Sequence, residues 1–156
     1  KPAVAAALGL RNVRHSLSDY LTRRCSLEEA LAPDPHSTVM ALPATCAADA
    51  DELISSTAMS SLVDRLRRIA DFVVIDSPPV LAVNDARLLA QITDGTVLVV
   101  RWEKTPREAV SHATHLLREF RTRLIGTALA RTDVKQHQYY TFGYTGVPAL
   151  AEYYKS

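Results

Sequence analysis

Three apolar runs of β-forming residues, separated by stretches with helical spacing, constrain the fold of this chain more than any other feature. Residues 72–75 read FVVI, residues 96–100 read TVLVV and residues 124–130 read LIGTALA. The first two lack polar alternation, which predicts strands buried on both faces. Between them, residues 84–92 have the spacing of a short helix, closed by Asp94-Gly95. After the second run, Thr105-Pro106-Arg107-Glu108 predicts a helix start. Thr105 would cap it, Pro106 would fill the first helical position and Glu108 would complete a capping box. The apolar face of that helix is Val110, Ala113, Leu116, Leu117 and Phe120. Strands alternating with helices are βαβ units. The expected fold is therefore α/β, a mostly parallel sheet of four strands flanked by helices.

The fourth strand is expected at residues 38–43. Ahead of it lie short helices. Residues 2–10 are Ala-rich and stop at Gly9, and two more helices start from Ser18 and Ser26. Ser26-Leu27-Glu28-Glu29 has capping-box spacing, with Glu29 placed to bond back to the cap. Residues 32–35, APDP, read as a loop, because proline disfavours helix at its own and the preceding position. Residues 49–69 are mainly helix, with Met59, Leu62, Val63, Leu66 and Ile69 on its apolar face. Periodicity ends near Asp133. This divides the chain into a folded part, residues 1–133, and a tail, residues 134–156.

Composition excludes several classes. At 156 residues and 47% hydrophobic, the chain is domain-sized and can bury a core. Eighteen basic against 17 acidic residues give a net charge of +1, which argues against a nucleic-acid binder. The longest uncharged apolar stretch, residues 3–10, is too short to span a bilayer, and no secretory leader is expected. Cys25 and Cys46 sit in no zinc-binding spacing and read as ordinary thiols of a reducing compartment. Two skews remain. None of the 5 glycines belongs to a GxxxxGK[ST] run, and Tyr139, Tyr140, Tyr144, Tyr153 and Tyr154 crowd the tail.

Asp76 is the first candidate for chemistry. It ends the first apolar run and precedes Ser77-Pro78-Pro79. In open α/β sheets ligands sit at the carboxyl ends of strands. A carboxylate there can orient a water on Mg²⁺, which takes oxygen ligands and keeps several waters. Capping of the turn is the alternative role for Asp76. Arg65-Leu66-Arg67-Arg68 reads as a solvated helix face. His112 and His115 have spacing that permits a metal, but no third ligand is indicated. Trp102 follows the second strand, where it can cover a cleft edge.

Residues 72–85, FVVIDSPPVLAVND, resemble the Walker B region of the bacterial tyrosine autokinases, the cytoplasmic domains of polysaccharide co-polymerases. The resemblance extends over nearly the whole chain. LSDYL at 17–21 and SLEE at 26–29 look like the family's GLSDYL…SLEE stretch. VMALP at 39–43 looks like its LxVLPAG strand, with Thr45 in place of the glycine, and DELISS at 51–56 looks like its NPAELLSS helix start. DGTVLVVR at 94–101, followed by Lys104-Thr105, also fits. The resemblance implies a P-loop NTPase fold of the deviant Walker type. It implies an ATP-dependent tyrosine autokinase that controls capsule and exopolysaccharide synthesis at the cytoplasmic face of the bacterial inner membrane. ATP and Mg²⁺ are the implied cofactors. By resemblance Asp76 is the metal-binding and catalytic carboxylate. Ser77 and Asp85 lie in the loop that would face the γ-phosphate, and Arg131 and Asp133 match a nucleotide-site motif. The five tail tyrosines would be phospho-acceptors on neighbouring copies in a homo-oligomer.

Departures from the family pattern add further expectations. A P-loop needs glycines for close backbone approach to phosphate and a lysine to bridge the β and γ groups. This chain has no such run, and Lys1-Pro2 look like the end of the family's second phosphate-site motif. The chain is therefore expected to begin just after the phosphate-binding half and to be inactive alone. Its partners would be that half, or a membrane chain-length domain, besides copies of itself. Ala130 stands where related ATPases carry an asparagine near the adenine, and it cannot make that hydrogen bond. Without a neighbouring strand, residues 72–75 are expected to expose an edge and apolar faces. Two other readings stay open. One is a partitioning-type ATPase without kinase activity, which needs no tyrosine tail. The other is a truncated, non-enzymatic interaction module.

Overall fold

The computed structural model describes residues 4–10, 13–44 and 50–132. Lys1, Pro2, Thr45, Cys46, Asp133 and the five tail tyrosines lie outside the described residues. In chain order the elements are α1 (Val4–Ala7), α2 (Leu17–Leu21), α3 (Leu27–Ala30), β1 (Ala32–Pro33) and β2 (Met40–Ala41). They continue with α4 (Ala50–Ser55), α5 (Thr57–Leu66), α6 (Asp85–Gln91), β3 (Thr96–Arg101), α7 (Arg107–Glu119) and β4 (Leu124–Ala130).

The short helices at the front are held by their caps. At α3 the expected box forms: the Ser26 N–H donates to Glu29 Oε2 at 2.7 Å, and the Glu29 N–H donates to Ser26 Oγ at 3.2 Å. At α2 the cap is Ser16, not the expected Ser18, which lies inside the helix. Ser16 also has an acidic residue three positions on, and its N–H reaches Asp19 Oδ2 at 2.9 Å. Replacing Ser26 with alanine removes the acceptor for the Glu29 N–H and should cost about 1 kcal/mol in urea unfolding.

The two capping carboxyls are titrated by the same bonds. Hydrogen bonds from the Ser16 side chain and backbone hold Asp19 below the usual carboxylate range, and bonds from the Ser26 backbone and side chain do the same for Glu29. A carboxyl whose folded pKa is depressed contributes stability that is present above its unfolded pKa. That stability is lost as the pH falls through the folded value. The thermal midpoint should therefore drop on acidification through the carboxylate range. An Asp19→Asn/Glu29→Gln double variant should start lower and show a flatter acid limb.

Helices α1, α2 and α7 end in the same way. After α2, the Arg23 N–H donates to Tyr20 O at 2.9 Å and the Arg24 N–H to Asp19 O at 2.8 Å. After α7, the Arg121 N–H donates to Arg118 O at 2.9 Å and the Thr122 N–H to Leu117 O at 3.1 Å. This is the Schellman pattern, whose central residue takes a left-handed conformation. Gly9 fills that position after α1 at φ 64°, but Arg23 and Arg121 fill it after α2 and α7 at φ 59° and 54°.

The single helix expected over residues 49–69 is two helices. Ser56 Oγ donates to the Leu53 carbonyl at 2.6 Å, which closes α4, and accepts from the Met59 N–H at 3.3 Å, which opens α5. A serine side chain that bonds the backbone in both directions competes with the helical ladder at that point. Helix α5 ends at Leu66, so Ile69 falls beyond it and is 62% exposed instead of lining the apolar face. The core forms where α2, α3, α5 and α6 meet, from Leu21, Leu27, Met59, Leu62, Val63 and Leu89. Arg67 ties α5 to the turn after α6, with Nη2 donating to the Ile92 carbonyl at 3.1 Å and to Asp94 Oδ1 at 3.0 Å.

The sheet is smaller than expected. Among the described residues there are two two-stranded sheets, β1–β2 antiparallel and β3–β4 parallel. The expected strand at 38–43 shrinks to Met40–Ala41, and its partner lies in the segment expected to be a loop. Proline is tolerated at Pro33 because this is an edge strand. In the parallel pair, Thr96 faces Leu124 and Val97 faces Gly126, which leaves Ile125 as an irregularity. Gly95 fits closely there: a Cβ at this position would lie 2.8 Å from Ile125 Cγ2, so a larger residue would force the exposed Ile125 side chain to shift.

Two expected strands are corrected. Residues 72–75 form no ladder with any described residue. Val73 and Ile75 are half-buried, and Ile75 packs on the core, while Phe72 and Val74 are 89% and 92% exposed, in line with the apolar faces expected to be left open there. Strand β3 is likewise not buried on both faces, since Val97 and Val99 are exposed while Val100 is buried. An unbroken apolar run specifies two faces able to be buried, and here one of them stays exposed. The start of α7 also differs: Pro106 is the cap residue, and Thr105 Oγ1 instead accepts from the Arg101 N–H at 3.2 Å. Ala113 and Leu117 are buried on the predicted face of α7.

Candidate functional site

Asp76 stands at the carboxyl end of the extended segment whose Ile75 is anchored in the core. It is exposed, as is Ser77, whose hydroxyl donates to the Pro78 carbonyl at 3.3 Å. The Ala82 N–H donates to the Pro79 carbonyl at 2.9 Å and turns the chain back toward α6. The local sequence explains the arrangement. An anchoring isoleucine fixes the entry to the loop, and two prolines restrict its exit.

Asp85 opens α6 and is only 7% exposed, unlike Asp76. Its position in the first helical turn suits a carboxylate, because the helix dipole is positive there. Asp85, Ala86, Leu89 and Ala90 are all buried, which is one helical face. That spacing is visible in the sequence and distinguishes Asp85 from the exposed loop residues near it. The carboxyl ends of β3 and β4 lie side by side, with the Trp102 N–H donating to the Ala130 carbonyl at 3.0 Å. Glu103 and Arg131 follow these strand ends in left-handed conformations, at φ 53° and 58°. Arg131 is exposed and Trp102 is half-buried.

The donor set can be tested against the implied metal. Among the described residues no group of three His, Cys, Asp or Glu side chains could hold an ion. Mg²⁺ does not require one, because it is usually held by one or two carboxylates together with phosphate oxygens and water. An exposed Asp76 fits that role as a single oxygen ligand. His112 and His115 are both exposed on α7, and His115 pairs with Glu119 at 3.2 Å. Cys25 is half-buried, and burial, with Asp19 and Glu29 nearby, pushes its thiol pKa up, away from nucleophilic character. The arginine face of α5 is engaged with carboxylates: Arg65 reaches Glu28 at 2.7 Å and Arg67 reaches Asp64 at 2.9 Å.

No family model matches the chain. Individual proteins do. The chain is 32% identical over 151 residues to the tyrosine-protein kinase YwqD of Bacillus subtilis, which covers 94% of this chain and 61% of that protein. It is 29% identical over 127 residues to the succinoglycan biosynthesis transport protein ExoP of Rhizobium meliloti, covering 79% of this chain and 16% of ExoP. The crystal structure of the VpsO kinase domain superimposes with a TM-score of 0.80 at 32% identity, over 85% of this chain and 66% of that domain. The chain thus spans about three fifths of the length of YwqD and a smaller share of ExoP. Sequence and fold agree: over most of its length the chain matches bacterial tyrosine-protein kinases and their kinase domains.

Proposed function

We propose that this chain carries the Walker B region and tyrosine tail of an ATP-dependent protein tyrosine autokinase that regulates exopolysaccharide polymerisation or export. The observation that carries the reading is an exposed Asp76 at the carboxyl end of a core-anchored apolar segment, in a chain matched by a tyrosine kinase over 94% of its length. Residues 1–133 are the kinase-fold part and residues 134–156 the acceptor tail. Asp76 would supply a carboxylate to Mg²⁺. Arg131 and Asp133 would border the nucleotide, and Ser77 and Asp85 would shape the loop on its phosphate side. Bound Mg²⁺ would neutralise charge on the phosphates of ATP. Phosphoryl transfer is mainly positioning and charge neutralisation, so the protein needs no covalent catalyst. Its remaining tasks are to hold a carboxylate at a fixed point and to present a tyrosine hydroxyl.

In this reading the phospho-acceptors are Tyr139, Tyr140, Tyr144, Tyr153 and Tyr154 on a neighbouring copy, at the cytoplasmic face of the inner membrane beside a membrane-spanning co-polymerase. No helix among the described residues is long and apolar enough to cross a membrane. Several phosphates, each near −2 in charge, would repel one another and loosen an assembly held by the tails. A mass spectrum of a protein that joins this chain to a P-loop half, incubated with Mg-ATP, tests the reading. Expected is a phosphotyrosine gain that maps to the tail.

The lack of any GxxxxGK[ST] run in the 156 residues favours a second reading, a non-enzymatic interaction module. Micromolar ATP binding by the 156 residues alone would remove this second reading, whereas a spectrum without phosphotyrosine gain would remove the kinase reading.

A further inference from the structure

We draw no further inference here: the strongest candidate, the bare apolar face of the β3–β4 sheet together with the uncovered Phe72 and Val74, carries nothing, because nothing in the structure shows what covers it.

Discussion

Changing Asp76 to asparagine, in a kinase that joins this chain to a P-loop half, is expected to lower tyrosine phosphorylation by about a hundredfold or more, on the scale seen when one preorganised charge partner is removed. Asparagine keeps the size of the side chain but loses the negative charge that would bind Mg²⁺. The fold should not notice. Asp76 is exposed and makes no hydrogen bond within the described residues, and substitutions at such positions usually stay within about 0.5 kcal/mol. The two readouts separate the roles. A quantitative phosphotyrosine spectrum reads the activity, and urea unfolding reads the fold. Unchanged phosphorylation in a stably folded variant would remove Asp76 from the site. Loss of both together would mean that Asp76 is a turn residue needed for folding. Asp85 makes the contrast sharp, because it is 7% exposed and its substitution should register in stability as well.

Truncating Leu62 to alanine should destabilise the chain by about 2–5 kcal/mol, the range for a buried leucine whose cavity cannot collapse. Leu62 is 1% exposed and belongs to the cluster that joins α2, α3, α5 and α6. Native domains of this size have only about 5–15 kcal/mol in hand, so the loss takes a large share of the total. The measurement is the urea midpoint with its slope, compared with a Val74→Ala control. Val74 is 92% exposed, and its truncation should shift the midpoint little. A Leu62 variant that unfolds like the Val74 control would place the core elsewhere.

How far the sequence discloses this structure depends on the range of the interaction involved. The Ser26–Glu29 box, helix α6 within one residue at each end, and strand β4 at both ends are all readable, because each rests on neighbours a few positions apart. The break at Ser56 is local too, but Ser55 and Ser56 sit within a pattern whose apolar spacing continues past them. Spacing alone cannot show that one hydroxyl will take the Leu53 carbonyl. The exposure of Phe72 and Val74 is the apolar face expected where no strand lies alongside; the miss at residues 72–75 is the ladder, which does not form among the described residues. Four consecutive β-forming residues state that both faces tolerate burial, and only the arrangement of the remaining elements decides how many faces are covered.

The site divides along the same line. Asp76 is marked in the sequence by its place after an apolar run, and family resemblance adds a proposed role. The burial of Asp85 depends on which side of α6 packs inward. The apolar positions 86, 89 and 90 announce that side, but a reading confined to the loop passes over it. Asp133 and the tail tyrosines rest on sequence alone.

The arginine stops of α2 and α7 tie helix termination to the ionic medium. A left-handed residue other than glycine costs about 1–2 kcal/mol. A cation at a helix carboxyl terminus returns part of that through the dipole, up to about 1 kcal/mol at an exposed site. Glycine at the same place would be indifferent to salt. With Arg23 and Arg121 there, part of the compensation is a surface electrostatic term, which dissolved ions screen within about 10 Å at 0.1 M. Part of the stability of these two helix ends should therefore fall as salt is added.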